Sequence, residues 1–572
     1  MTRDFSRLFK PRSIALIGAA AWCSGVIANL RAMGFVWDIW PVVPGESAVD
    51  GVRAFESIER LPAPPDVGFV CLDGAEAVTA VAALARRGAG AALCQGMADP
   101  AALAEAAGRM LLLGPGCHGF VSAMERAAIW EGPLGLRPVK RGVALLARSA
   151  SLAQSLSMQR RGLPIACVAV AAPGPAQTGM ARLGAALLQD DRITALGLQA
   201  EDLGDPEAFL ALAQVAERLG KPVIVLRAGE EPGAAALIAR AGMARVRSPE
   251  ALLEALKILH VMGALPANAL AALSCSTGTA QLVRDLAAAQ GLRFPPFSEA
   301  QRRALADDLG PGVALENPLD CSAAVGRPAP RMARIFAEVM SGGAVLTLAV
   351  LDCPREDRCD DETWQRVAEA AAAARARVGM PLAMISTLPE GLPEARAEAL
   401  MGQRLIPLAG LSAALEALAA CVALGGPLRR PAPLFMPAQG AGAGLPAPDP
   451  AQAAATLAAQ GLELLPPGTE PEGPALALHL SADAAYGYVL TFRMGATQVS
   501  GLLPLRREEA RTLLSGLPLS EEDVAAVVPA LLSVQDYVIA QKGTVAELEL
   551  GFRPGSRGRA LASGLRIRAA GG

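Results

Sequence analysis

Hydrophobic positions in this chain come in short unbroken runs rather than in strict alternation. Residues 13–17 form one such run, closed by Gly18, and residues 38–43 form a second, closed by Pro44. Residues 66–72, 90–94 and 110–113 repeat the pattern, with helical stretches between them; residues 25–33 read as a helix stopped by Gly34 and Phe35. Apolar runs alternating with helices predict βαβ units and parallel sheets buried on both faces. A second series begins near Gly142, with strands expected at 143–147, 166–170, 195–199 and 223–226. A third runs from about Asn268, with strands at 271–274, 344–350 and 381–386. The second and third series read as diverged copies of one flavodoxin-like pattern. The stretch RRPAPLFMPAQGAGAGLPAPDP, residues 429–450, is a Pro/Gly/Ala linker, and about 120 residues follow it with strands at 486–492 and 546–550.

Length and composition narrow the function. A chain of 572 residues is too long for one core, so three to five domains are expected. Net charge is −3, charges of both signs are interspersed, and aromatics make up only 4%. That combination offers neither a basic footprint nor stacking platforms for nucleic acid. No uninterrupted apolar run reaches the roughly 18–20 residues that span a bilayer. The start, MTRDFSRLFKPRS, is charged and leads into a strand rather than a signal-peptide core. Ten cysteines without a C-x-x-C pair read as reduced, mostly buried thiols. A cytoplasmic protein without a membrane span is expected.

The stretch KPVIVLRAGEEPGAAALIARAGMARV, residues 221–246, poses the chemical question. It reads as strand, turn and helix, and a loop at the carboxyl end of a parallel strand is where open α/β sheets place their chemistry. Yet the turn carries no His, Ser, Thr, Cys or Asp. Glu230 and Glu231 lie in it and read as solvated turn charges.

The order of these units resembles the NDP-forming acyl-CoA synthetases, which include ADP-forming acetate–CoA ligase and are related to succinyl-CoA synthetase. LFKPRSIALIGAA (8–20), GFVWDIWPVVPG (34–45), LLGPGCHGF (112–120), KPVIVLRAG (221–229) and LENPLDCS (315–322) carry the resemblance, which covers most of the chain. It implies an α/β multidomain fold. Residues 1–135 would be a Rossmann-like CoA-binding domain. Residues 136–265 and 266–428 would be two flavodoxin-like ligase domains, and residues 451–572 a truncated ATP-grasp-like domain after the 429–450 linker. In the family an acyl phosphate forms from acid and ATP, the phosphoryl group passes through a histidine, and CoA then attacks the acyl group.

Several family features are missing. The carrier histidine belongs to a Ser-His-Thr-Gly loop after the 223–226 strand, and here that loop is shortened. The three histidines, His118, His260 and His479, stand elsewhere. The family's Ser-Gln-Ser-Gly turn corresponds to Ala147-Arg148-Ser149-Ala150, where Ala replaces the Gly that lets an anion approach. Ser149 and Ser151 read as helix caps. The family's Gly-Asn after the next strand reads Pro173-Gly174. Glu201 matches the glutamate that supports the histidine, and so is the one catalytic candidate. At the C-terminal end, Glu547 and Glu549 match two Mg²⁺ oxygen ligands, but Gly551 takes the Asn position, so ATP and Mg are not expected as ligands.

The CoA loop is the least altered part. The resemblance assigns Gly18, Ala19, Ser24, Gly25, Pro44 and Cys117 to binding CoA or acyl-CoA. A strand–Gly–helix turn aims backbone N–H groups and the positive helix end at a phosphate. Trp22 is a candidate to pack on the adenine, and Arg12 and Arg31 are candidates for the 3′-phosphate. No metal ligand set is expected. Three readings remain. The first is a CoA- or acyl-CoA-binding partner or regulatory subunit without phosphohistidine chemistry of its own. The second is an active ligase completed by another chain that supplies the ATP-grasp part. The third is an assembly scaffold without a ligand. The partners implied are a CoA thioester and either further copies of the chain or an ATP-grasp subunit.

Overall fold

The computed structural model describes residues 3–171, 174, 176–355, 357–426, 433–436, 449–466, 476–541, 543–554 and 560–569. Most of the expected 429–450 linker, and Pro173, lie outside them. The chain divides into two compact units. One comprises Met1–Gly204, Leu212–Ala228 and Met243–Leu428; the other comprises Asp205–Ala211, Gly229–Gly242 and Arg429–Gly572.

The larger unit is built on three parallel sheets of one strand order. In the first, strands Asp38–Val42, Ser13–Ile17, Val67–Val70, Ala91–Cys94 and Leu111–Leu113 lie side by side. The second places Ile165–Val170, Gly142–Ala147, Ile193–Gln199, Val223–Leu226 and Ala244–Val246 in the corresponding order. In the third the order is Leu319–Asp320, Ala271–Ser274, Thr347–Val350, Leu382–Ser386 and Ile406–Ala409. Each sheet therefore reverses direction between its first and third strands in chain order, and each has a switch-point crevice at the carboxyl ends of those two strands. Ser13–Ile17, Val67–Val70 and Gly142–Ala147 are buried along their whole length, which is why they appear as unbroken apolar runs.

Two features differ from expectation. The helix after the first strand begins at Ala20, not near Gly25, and runs to Met33 before Gly34 closes it in the left-handed conformation. A hairpin, Gly119–Ser122 and Ala127–Trp130, pairs antiparallel onto Ile165–Val170, so these residues complete the second sheet rather than the first. The second and third sheets share one continuous apolar core through helices Pro249–Val261 and Leu411–Leu424.

In the smaller unit, strands Leu476–Asp483, Gly487–Met494, Thr497–Leu502, Val545–Pro554 and Ala560–Ala569 form a mainly antiparallel sheet. Helices Pro450–Ala459, Arg507–Leu514 and Glu521–Ala540 contribute to its core. Among the described residues one helix, Glu521–Ala540, is long and apolar enough to cross a membrane, and half of its apolar window is buried. Helix Pro232–Arg240 follows strand Val223–Leu226 in sequence but belongs to this unit, where Arg240 donates to Leu502 O at 2.7 Å.

Candidate functional site

The crevice of the first sheet opens at Gly18, where the strand Ser13–Ile17 ends. Cys71, just past Val67–Val70, donates its N–H to Ile17 O at 2.8 Å. A Cβ on Gly18 would lie 3.0 Å from Trp22 Cε3 and 3.3 Å from Cys71 Cβ, so a side chain here would press on both neighbours. Ala19 is the N-cap of the following helix in an extended conformation, and no side chain caps it. The first intrahelical bond is Cys23 N–H to Ala19 O at 3.0 Å, which leaves the preceding N–H groups of the first turn for an anion. Two features present fit a diphosphate at this place: small Ala19 and an uncapped helix start.

Other expected CoA contacts have different surroundings. Ser24 lies inside the helix and its hydroxyl donates to the Asp50 carboxylate, while Arg31 donates to Asp50 O at 2.8 Å. Gly25 is also within the helix, in open space, and does not shape the loop. Pro44 is exposed beyond the carboxyl end of Asp38–Val42, on the same sheet edge as Gly18. Cys117 joins that edge through its N–H to Cys94 O at 2.9 Å; its thiol is wholly buried, and burial pushes it up to about 12. Arg12 precedes the first strand, at the opposite end from Gly18, with its guanidinium 5.3 Å from the Trp37 ring centroid. The Trp22 indole is already engaged: its Nε1 donates to Gln95 Oε1 at 2.8 Å, and Gln95 Nε2 donates to Glu131 Oε2 at 2.9 Å. Glu131 also faces Cys71, whose thiol is raised first by burial and then by this carboxylate and Asp73. The sequence marks neither Gln95 nor Glu131, beyond the position of Gln95 directly after strand Ala91–Cys94.

At the carboxyl edge of the second sheet, Gln199 organises the corresponding loops. Its Oε1 accepts from Arg148 N at 3.0 Å and Ser149 N at 3.1 Å, and its Nε2 donates to Glu201 Oε1 at 2.7 Å. Glu201 is exposed. Ser149 caps helix Ala150–Ser157, accepting from Leu152 N at 3.3 Å. Arg148 pairs with Asp202 at 2.7 Å. None of the three histidines stands on these loops. His118 meets the Trp130 ring edge-on at 4.8 Å, and His260 lies in helix Pro249–Val261 with Nδ1 2.8 Å from Thr194 Oγ1. His479 pairs across the smaller unit's sheet with Glu549.

That smaller sheet carries a cavity of about 620 Å³ lined by Pro232, His479, Thr491, Arg493, Glu549 and Arg566. Of the two expected metal carboxylates, Glu547 is engaged by Arg568, whose hydrogen bond holds it below the usual carboxylate range. Glu549 lies 3.9 Å from Arg566. Among the described residues no group of three or more His, Cys, Asp or Glu side chains forms a metal site.

Residues 12–123 match the CoA binding domain family, and residues 140–238 match the succinyl-CoA ligase like flavodoxin domain. A trans-feruloyl-CoA synthase, FCS1, of an unknown prokaryotic organism is 27% identical over 360 residues, covering 56% of this chain and 51% of that protein. The chain thus spans about half the length of this curated relative. The fold is shared with PH0766 from Pyrococcus horikoshii OT3, at a TM-score of 0.65 and 19% identity over 74% of this chain and 99% of that one. It is shared equally with the apo dinucleotide forming acetyl-coenzyme A synthetase 1 of Ca. Korarchaeum cryptofilum, at a TM-score of 0.63 and 19% identity over 74% and 97%. The chain thus carries a CoA binding domain followed by a succinyl-CoA ligase like flavodoxin domain, an order that supports membership of the NDP-forming acyl-CoA synthetase family.

Proposed function

We propose that this protein binds CoA or an acyl-CoA thioester at the crevice after Gly18 and lacks phosphohistidine-dependent ligase activity on its own, acting as a partner or regulatory subunit. The observation that carries this is a contrast between two strand ends. The Gly18 end keeps open backbone donors and an uncapped helix. The Leu226 end leads through residues 227–231 to helix Pro232–Arg240 with no nucleophilic His, Cys, Ser or Thr on the way. A phosphoryl carrier needs a nucleophile within reach of donor and acceptor, and this loop offers none of the usual kind. Glu201, the family's supporting carboxylate, instead ends a hydrogen-bond chain from Gln199.

ATP and Mg²⁺ are not ligands in this reading, because Glu547 is committed to Arg568 and Gly551 stands where the family has Asn. The ten cysteines, seven of them buried, favour a reducing compartment such as the cytoplasm. The test is titration calorimetry of the full chain with CoA and acetyl-CoA, comparing the unaltered protein with Gly18→Val. Full length is needed because the hairpin 119–130 is paired into the second sheet. Binding that Gly18→Val weakens at least tenfold is the expected result. No heat with either ligand, or acyl-CoA formation from acetate, ATP and CoA by the chain alone, would overturn the proposal.

A further inference from the structure

Trp22 is the third residue of helix Ala20–Met33, so its own backbone N–H is one of the free donors of the first turn. Its side chain folds back across the strand ends instead of pointing away from them. The indole lies over Gly18, as the 3.0 Å approach of Cε3 to a Gly18 Cβ position shows. Its ring centroid is 4.8 Å from that of Phe69, on strand Val67–Val70. Its Nε1 reaches Gln95, the residue after strand Ala91–Cys94, and Gln95 in turn is held by Glu131. The ring therefore spans the carboxyl ends of the first, third and fourth strands, directly across the switch point where a ligand enters an open α/β sheet.

This seat is poorly matched to a diphosphate. The indole has a single polar donor, and Gln95 already takes it. Behind Gln95 stands a carboxylate, which repels a second anion brought close to it. The first-turn N–H groups, by contrast, are matched to a diphosphate. Resting on the CoA reading above, we infer that Trp22 gates this crevice: the closed indole is tethered through Gln95 to Glu131, and a CoA diphosphate seated over Gly18 turns it outward.

A protein that must open before it binds shows an affinity lowered by the fraction already open. Removing the gate therefore tightens binding. In the full chain, Trp22→Ala is expected to bind CoA roughly three- to tenfold more tightly than the unaltered protein. Gln95→Ala, which cuts the tether and keeps the ring, moves affinity the same way by a smaller factor. Tryptophan emission changes on CoA saturation in the unaltered protein and loses that change in Trp22→Phe. Binding to Trp22→Ala alone also supports the gate. CoA binding of equal strength in all variants with constant emission overturns the gate and leaves CoA binding standing. Weaker binding in Trp22→Ala makes the indole a ligand contact, which also overturns the gate. No CoA binding in any variant removes the CoA reading and the gate together.

Discussion

Lys257 Nζ lies 2.6 Å from Glu254 Oε2, and neither side chain has any exposed surface. Glu254 also accepts from Arg161 Nη1 at 2.8 Å and from Ala409 N at 3.0 Å, while Lys257 donates to Arg161 O at 3.2 Å. Burial lowers the Lys257 pKa from its ordinary value, and Glu254 opposes that shift. The pair thus ties helix Pro249–Val261, which follows the last strand of the second sheet, to Ala409 at the end of the last strand of the third. A buried carboxylate is tolerated here because every partner it needs is in place.

Breaking this pair on one side is expected to cost about 3–5 kcal/mol, because it strands a buried charge. Lys257→Met should do so, and Lys257→Met combined with Glu254→Leu should recover part of the loss. Urea unfolding of the two variants decides it. A double variant no more stable than the single one would show that packing, and not the uncompensated charge, dominates.

Stability should also fall on mild acidification through His260. Burial first, and Arg141 second, hold its pKa down to about 4 from the ordinary 6.5. Between those values the unfolded chain binds a proton that the folded chain does not. Stability therefore declines as pH drops through 6.5 and levels off below about 4, by at most about 3 kcal/mol. His260→Gln removes the titrating ring, so its stability should vary less with pH over that window. An unchanged slope in this variant assigns the acid sensitivity elsewhere.

Gly233→Val should loosen the smaller unit. A Cβ at this position would lie 2.4 Å from Tyr486 Cδ2, inside contact distance. Strain of that kind costs about 1–3 kcal/mol, and here it falls on the packing of helix Pro232–Arg240. Faster hydrogen exchange confined to residues 232–240 and the Gly487–Met494 strand is the expected signature. Exchange identical to the unaltered protein would mean that Tyr486 moves aside without penalty.

Ser24→Ala should leave CoA affinity within about twofold, since the hydroxyl already serves Asp50. Calorimetry run beside Gly18→Val gives the comparison. A tenfold loss in Ser24→Ala would show that the hydroxyl leaves Asp50 for the ligand.

Incubation with γ-labelled ATP should leave no acid-labile phosphohistidine. His260 is largely buried against Thr194, and His118 packs on Trp130. Label that maps by mass spectrometry to His118 would show that the Cys117–Gly119 segment has taken over as the carrier.

The residues alone determined the three parallel sheets, because a strand covered by helices on both faces must be apolar at every position, and 13–17, 67–70 and 143–147 are. They also determined that the turn after strand Val223–Leu226, residues 227–231, contains no histidine, since that is a matter of side-chain identity. Three things were decided only in three dimensions. The hairpin 119–130 is as apolar as its neighbours, and its partner strand lies more than thirty residues away, so nothing local chooses which sheet it joins. Helix Ala20–Met33 runs straight through Gly25, because burial of Cys23, Val26, Ile27 and Leu30 outweighs the roughly 1 kcal/mol that an interior glycine costs. The crevice itself depends on Trp22, Gln95 and Glu131, which are scattered over more than a hundred residues. Only the parallel stacking of strand ends brings an indole, an amide and a carboxylate into one hydrogen-bonded line.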